Sequence, residues 1–218
     1  MSATRTAEPF VTFDTWHTEN RAAASGLADA LEAELRDRYA PAPGFAFARV
    51  HLSLDGRTVV TCTEWDAQAH WTAAAAALPA GAALRTEPGS AFRGTRAAHV
   101  AGPEAGTVPG IVSVATRHVG TAVAARALLR HLLDTAGWKR TFPGFVSATP
   151  FISLDGATYL NYPQWTDEAA YRAYMTDPRN AAAQGGIAAL EVAPPEFVMA
   201  VVHAQVTAAD AAGAGRAA

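Results

Sequence analysis

The sequence is poor in cysteine and in charge, and it has no long apolar run. Cys62 is the only cysteine among 218 residues, which excludes an intrachain disulfide and any thiolate cluster for zinc or iron and sulfur. It lies in an apolar, strand-like run, where we expect a buried thiol without a chemical role. No run of roughly 18 apolar residues is present to cross a bilayer, and residues 1–8 lack the apolar core of a signal peptide. We therefore expect a cytoplasmic protein with no membrane partner.

Charged residues make up 17% of the chain, and the formal net charge is -3. Nucleic-acid binding needs clustered lysine and arginine, so we expect no nucleic-acid partner. No Gly-x-Gly-x-x-Gly follows a predicted strand, and no pair of ligands has the spacing of a helical metal site. We predict no bound metal and no tightly bound dinucleotide, and the sequence assigns no cofactor-binding residue.

An internal repeat with a period of one hundred residues is the main feature that is present. The same letters occur in both halves at Pro43-Gly44-Phe45 and Pro143-Gly144-Phe145, at Ser53-Leu54-Asp55-Gly56 and Ser153-Leu154-Asp155-Gly156, and at Trp65 and Trp165. A fixed period marks a duplicated structural unit. Residues kept in both copies are candidates for the scaffold, and residues found in one copy only are candidates for chemistry.

Both halves predict the order strand, helix, strand, strand, helix, strand from their hydrophobic periodicity and turn residues. The expected elements are 9–15, 19–39, 45–53, 58–64, 66–78 and 91–100 in the first half, and 111–116, 121–137, 145–153, 158–164, 166–175 and 196–206 in the second. An Asp-Gly pair tolerates the positive φ of a tight turn and joins the two central strands of each half. We predict a first repeat at 1–101, a linker at 102–109, a second repeat at 110–207 and a disordered tail at 208–218.

This order predicts an α+β protein with two ferredoxin-like repeats, each an antiparallel sheet with both helices on one face. The other face of each sheet is left uncovered in such a repeat. We expect the two sheets to pack face to face, so that one chain forms a pseudo-dimer.

The second repeat resembles the antibiotic biosynthesis monooxygenase family. The resemblance rests on residues 143–147, 153–156, 161–165 and Tyr171. It implies a ferredoxin-like fold and a polyketide-tailoring monooxygenase that acts on a polycyclic aromatic substrate with dioxygen, without metal or tightly bound prosthetic group. The family also contains oxygenases that take reduced flavin as a diffusible co-substrate.

Three functions are therefore carried forward. The first is an anthrone-to-quinone type monooxygenase, the second a reduced-flavin-dependent oxygenase that hydroxylates or cleaves a polyketide ring, and the third a non-oxidative polyketide cyclase or binding protein. A small aromatic molecule is the expected partner in all three. A flavin reductase would be a partner in the second, and a homodimer of tandem chains is left open.

Four residues are predicted to be catalytic, and each competes with a structural role. The resemblance implies Asn161, Trp165 and Tyr171, where Asn161 would donate its amide to an oxyanion, Trp165 would donate its indole N–H, and Tyr171 would move a proton. The first repeat holds Thr61 in place of Asn161, so the scaffold does not demand an asparagine. His51 is added because strict alternation puts it on one face with other candidate pocket residues.

Four further residues are predicted to line the substrate pocket. They are Trp65, Trp71, Phe47 and Phe151, all large aromatic side chains suited to a flat polycycle. Trp65 and Trp71 correspond to Trp165 and Tyr171 across the repeat. Because Trp71 cannot transfer a proton as a phenol does, we expect the second repeat to hold the active site.

Overall fold

The computed structural model describes residues 8–210, which divide into two compact units. The first contains residues 8–95 and 203–210, and the second contains Arg96–Val202. The boundary lies a few residues before the predicted linker, and the last strand, expected wholly in the second repeat, is divided between the units. The predicted disordered tail lies, from residue 211 onward, outside the described residues. No helix within residues 8–210 is long and apolar enough to cross a bilayer.

The first unit is a four-stranded antiparallel sheet with two helices. Its elements are β1 (Phe10–His17), α1 (Arg21–Glu34), β2 (Phe45–Ser53), β3 (Thr58–Trp65), α2 (Gln68–Ala76) and β4 (Ser90–Arg96). The strand order is β4-β1-β3-β2. A π-helical turn, Leu35–Tyr39, continues α1, and a short 3-10 turn, Ala83–Arg85, precedes β4.

The second unit follows the same plan with two additions. Its elements are β5 (Val100–Ala101), β6 (Ile111–His118), α3 (Ala122–Thr135), β7 (Phe145–Ser153), β8 (Thr158–Trp165), α4 (Glu168–Thr176), α5 (Pro178–Gln184) and the first part of β9 (Glu196–Thr207). The order is β9-β6-β8-β7, with β5 at the outer edge of β7. Two 3-10 turns lie at Gly137–Thr141 and Ile187–Leu190. The predicted α+β class with antiparallel sheets is confirmed, while the expected face-to-face packing stays a prediction.

Local side-chain hydrogen bonds explain where several elements begin. The carboxylate of Asp167 accepts from the backbone N–H of Ala170 at 2.8 Å, which caps α4. The helix α2 has no side-chain cap, because the carboxylate of the preceding Asp66 bonds His70 instead. The hairpin between β7 and β8 turns at Gly156, whose φ is +73°.

A β-bulge lies near the start of the second strand of each unit. The pairing register shifts between Phe45 and Phe47 in β2 and between Phe145 and Ser147 in β7. A bulge adds one residue to a strand and so exchanges the faces of the side chains beyond it. Phe145 therefore packs in the same cluster as Ala148, three residues later, although strict alternation would separate them.

The helices of the second unit cover one face of its sheet. One cluster joins Leu128 of α3 to Tyr159 of β8 and Ile187. A second cluster joins Phe145 and Trp165, at the strand ends, to Tyr174 of α4. These two clusters define the helix-covered face of the sheet.

Two Gly→Ala substitutions should change stability in opposite directions. At Gly156 a methyl group would overlap Ala122, and the φ of +73° is strained for an L-residue, so we expect Gly156→Ala to lower the free energy of unfolding by about 2 kcal/mol. At Gly26, exposed in α1, nothing lies within 4 Å of an added methyl group. There the gain in helix propensity should raise the free energy of unfolding by about 0.5–1 kcal/mol. Chemical denaturation measures both. A Gly156→Ala protein at least as stable as the wild type would contradict the turn geometry, and a destabilised Gly26→Ala protein would contradict the open helical site.

Candidate functional site

A cavity of about 200 Å³ lies within the second unit. Its floor is formed by side chains of β6, β7 and β8 that share the helix-covered face, and its walls come from α3, the 3-10 turn after it, α4 and α5. Three of the four predicted catalytic residues line it, namely Asn161, Trp165 and Tyr171. The structure thus brings together the residues that the family resemblance singled out.

Asn161 and Trp165 reach the cavity because they are four residues apart in one strand. Alternating residues of β8 share a face, so both side chains lie on the helix-covered side. The backbone of Asn161 is held between Ala115 of β6 and Pro150 of β7. No described residue hydrogen-bonds its side-chain amide, which leaves the amide available to a bound molecule.

The indole N–H of Trp165 is buried and has no hydrogen-bond partner among the described residues. Its counterpart Trp65 is equally buried, but there the indole N–H donates to the Thr63 hydroxyl at 2.8 Å. The second repeat has Pro163 in place of that threonine, so the acceptor is missing. A buried donor without an acceptor is costly, and it is rare unless a ligand or water completes it.

Tyr171 stands next to Trp165 on the first turns of α4. The two rings meet edge to face with centroids 6.1 Å apart. Burial raises the pKa of Tyr171 above that of a free phenol, so its hydroxyl keeps its proton at neutral pH. A protonated phenol in this place can donate a hydrogen bond or a proton to a bound oxygen atom.

His51, Phe47 and Phe151 do not line the cavity. His51 and Phe47 belong to the first unit, while every lining residue of this cavity belongs to the second. Phe151 belongs to the second unit and lies beyond the β-bulge of β7. In β7 the residues that reach the cavity are Ala148 and Pro150, so Phe151 lies on the other face, where it is buried. The predicted roles of His51, Phe47 and Phe151 stay predictions, and this cavity gives them no support.

His51 is fully buried in β2 of the first unit. Its Nδ1 lies 3.0 Å from the Val60 carbonyl oxygen, a bond in which the ring N–H donates. Burial lowers the pKa of His51 to about 4, which keeps the ring neutral at physiological pH. These features fit a structural histidine.

Trp65 and Trp71 belong to the first unit and are not lining residues of this cavity. Trp65 lies in the core, with Tyr39 and Phe45 at ring centroid distances of 5.1 and 5.2 Å. Trp71 is partly buried against Phe10, and the guanidinium of Arg93 stacks over its ring at 4.7 Å. Their predicted substrate contact stays a prediction without support from this cavity.

Lys139 is a cavity residue that sequence reasoning missed. It is the only lysine of the chain, and it is 7% exposed in the turn after α3. Burial lowers its pKa to about 7. A comparison of the two repeats could have singled out Lys139, because the equivalent residue of the first half is Tyr39.

A buried ion pair forms another part of the cavity wall. Arg117 of β6 bonds the carboxylate of Glu191 and donates to the side-chain oxygen of Gln184 at 3.0 Å. Its guanidinium also lies 5.4 Å from the ring centroid of Phe197. With its charge already balanced, Arg117 positions the wall around it.

Potential metal ligands within residues 8–210 come together at Asp29, Glu32 and His203. Asp29 is exposed, and His203 already bonds it at 2.9 Å. This group belongs to the first unit. The prediction that the protein binds no metal stays a prediction.

Comparison with known proteins gives one sequence relative and a clear fold. The chain is 49% identical over 55 residues to the Tetracenomycin-F1 monooxygenase of Streptomyces glaucescens, a match that covers 25% of this chain and 49% of that protein. The predicted resemblance to antibiotic biosynthesis monooxygenases is confirmed. The chain spans about half the length of this relative. No family model matches the chain.

Two solved structures share this fold over nearly the whole chain. An anthrone oxidase-like protein has a TM-score of 0.79 at 16% identity and matches 97% of both chains. A ferredoxin fold protein of Listeria monocytogenes, related to antibiotic biosynthesis monooxygenases, has a TM-score of 0.51 at 11% identity and matches 91% of this chain and 96% of its own. At these identities the likeness establishes the ferredoxin-like fold and not an activity.

The burial of His51 should make stability depend on pH. Its folded pKa of about 4 lies below the unfolded value of 6.5, so between these values the unfolded chain binds a proton that the folded chain does not. The contribution of His51 is present above pH 6.5 and is lost as the pH falls toward 4, by roughly 3 kcal/mol in total. His51→Phe, which installs the residue of the second repeat, should remove this slope. Urea denaturation from pH 7 to 4 compares the two proteins, and parallel curves would contradict the buried neutral ring.

Proposed function

We propose that this protein is a monooxygenase that oxidises a polycyclic, phenolic polyketide intermediate of the anthrone type with dioxygen. The unpartnered indole N–H of Trp165, in the same aromatic cavity as the free amide of Asn161, carries the proposal. The similarity to the Tetracenomycin-F1 monooxygenase supports the reaction class. No tightly bound prosthetic group is part of the proposed reaction.

The reaction needs little from the protein because the substrate is itself the reductant. An anthrone that loses a proton from its methylene group becomes an enolate, and this anion gives an electron to dioxygen. Recombination forms a carbon–oxygen bond and a peroxide. Loss of water from the hydroperoxide leaves the quinone carbonyl, so that one oxygen atom enters the product, the other leaves as water, and no external electrons are consumed.

Trp165 and Asn161 would stabilise the anionic oxygen of the substrate. Both can donate a hydrogen bond from a fixed position on β8, and neither donation competes with a partner among the described residues. A preorganised donor of this kind contributes about 3 kcal/mol to transition-state stabilisation, or on the order of a hundredfold in rate. The apolar walls strengthen both hydrogen bonds, because they keep bulk water from the oxyanion.

Tyr171 would supply the proton that the peroxide needs. Its raised pKa keeps the phenol protonated at neutral pH, and its ring lies against Trp165. After the hydroperoxide breaks down, water can return the proton. Tyr171 would thus act as an acid and not as the base that ionises the substrate.

Isotope labelling tests the reaction class. With 1,8-dihydroxyanthrone and ¹⁸O₂, we expect oxygen uptake without added flavin, and one labelled atom in the quinone. If oxygen uptake requires reduced flavin and a flavin reductase, the proposal is wrong and the protein is a flavin-dependent oxygenase. Anaerobic conversion of a linear polyketide precursor, with no label incorporated, would replace the proposal by a non-oxidative cyclase.

Paired tryptophan variants test the donor assignment. Trp165→Phe keeps an aromatic ring and removes the unpartnered N–H, so kcat/KM for the anthrone should fall on the order of a hundredfold while folding is retained. Trp65→Phe is the matched control, because its N–H already bonds Thr63 within the core. It should lower stability by about 1 kcal/mol and leave kcat/KM within a factor of two. Equal losses of activity in both variants would contradict a donor role for Trp165.

Asn161→Thr tests the second donor with a residue that this fold already accepts. Thr61 stands at the equivalent place, so we expect the free energy of unfolding to change by less than about 1 kcal/mol. Oxygen uptake with the anthrone should fall on the order of a hundredfold, because the amide donor is lost. Uptake at the wild-type rate would remove Asn161 from the mechanism.

A further inference from the structure

The amine of Lys139 lies among three aromatic rings at one end of the cavity. Its Nζ is 4.8 Å from the ring centroid of Phe145, 5.1 Å from that of Trp165 and 4.5 Å from that of Tyr174. The same three residues form one hydrophobic cluster. The amine is thus at the Trp165 end of the site described above.

No carboxylate compensates this amine within residues 8–210. Neither an ion pair nor a hydrogen bond joins the side-chain amine of Lys139 to another described residue, and the amine lies over the faces of the three rings. A lysine buried without an anion is costly and is found where its chemistry is used. Loss of the proton relieves that cost, in keeping with the lowered pKa of about 7.

The scaffold does not require a lysine at this place. In the first repeat the equivalent residue is Tyr39, which packs edge to face on Trp65 at 5.1 Å and is buried in the core. An uncharged side chain therefore satisfies the packing at this turn. The second repeat has the only lysine of the chain at the place where the first repeat has a neutral aromatic ring.

We propose that Lys139 is the base that ionises the substrate in the cavity and that, once protonated, it holds the substrate anion as an ion pair. The neutral amine takes the proton of an acidic hydroxyl or of its keto tautomer, and the electron pair remains on the substrate as phenolate or enolate. The ammonium formed then faces the anion, with the aromatic rings around it. This inference rests on the proposed function and narrows the substrate class to molecules with such an acidic group.

The groups that face Lys139 are compatible with this role. On its own turn the neighbouring Arg140 is exposed, and on α4 Tyr171 and Tyr174 are phenols whose pKa values burial raises. The Arg117 charge is balanced by Glu191. None of these groups supplies a buried anion, so the substrate is the anion that completes the site.

A binding experiment without oxygen tests the proposal directly. Alizarin, a polycyclic phenol that changes from yellow to red on ionisation and is already a quinone, serves as the probe under anaerobic conditions. The wild-type protein should bind it as the anion at a pH at least one unit below that of its free transition. In Lys139→Met the transition of the bound dye should return to its free value or higher. A bound dye that ionises alike in both proteins would overturn the proposal.

The single lysine permits a second, independent measurement. Protein labelled with ¹⁵N at lysine Nζ gives one side-chain amine signal, whose pH titration belongs to Lys139 alone. We expect a midpoint near neutrality in the free protein and an upward shift of at least one unit when alizarin is bound. An unshifted midpoint on binding would overturn the ion pair.

Turnover separates this inference from the proposed function. With 1,8-dihydroxyanthrone, Lys139→Met should lower oxygen uptake at pH 7 on the order of a hundredfold, with recovery as the pH approaches the pKa of the free substrate. Lys139→Tyr, the residue of the first repeat, should behave alike and control for packing. Wild-type uptake in both variants would overturn the role of Lys139 and leave the monooxygenase intact. An absence of uptake in the wild type, with anionic alizarin still bound through Lys139, would overturn the monooxygenase alone.

Discussion

A β-bulge at the start of β7 is the constraint on which the site depends. It lets Phe145 join the helix-covered core and still brings Ala148 and Pro150 to the same face further along the strand. Without the extra residue, the side chains beyond the bulge would point to the opposite face. Small side chains at these two places leave the room that a larger residue, such as Phe151, would fill.

The two repeats have different residues at equivalent positions of the same scaffold, so each repeat serves as a control for the other. Three substitutions between them fall together around the strand-end tryptophan. They are Thr61 against Asn161, Thr63 against Pro163, and Tyr39 against Lys139. In the first unit the tryptophan N–H is satisfied and its ring is packed by a tyrosine, whereas in the second the N–H is unpaired and an amine replaces the phenol. Together these changes leave the Trp165 N–H without an acceptor and add an amide and an amine that a ligand can complete.

The apolar surroundings give these few polar groups their strength. Hydrogen bonds and charges are weak when water competes, and they strengthen as the surrounding dielectric constant falls. The same burial that leaves the Trp165 N–H without a partner also lowers the pKa of Lys139 and raises that of Tyr171. The exclusion of water by the aromatic cluster is therefore the common physical cause of three properties: the strength of the Trp165 donor, the lowered pKa of the Lys139 base and the raised pKa of the Tyr171 acid.

Short-range patterns in the sequence determined the α+β class and the hairpins at the Asp-Gly turns, because periodicity and turn residues are local properties. The candidates Asn161, Trp165 and Tyr171 came from the family resemblance. The side of the sheet that carries the site was decided by tertiary structure, since a single inserted residue reverses the alternation in β7 and turns Phe151 away from the cavity. Tertiary structure also revealed Lys139, because burial and the lack of a counter-ion are properties of the packed chain. The sequence alone determined which residues differ between the repeats, and the fold decided which of those differences meet in one cavity.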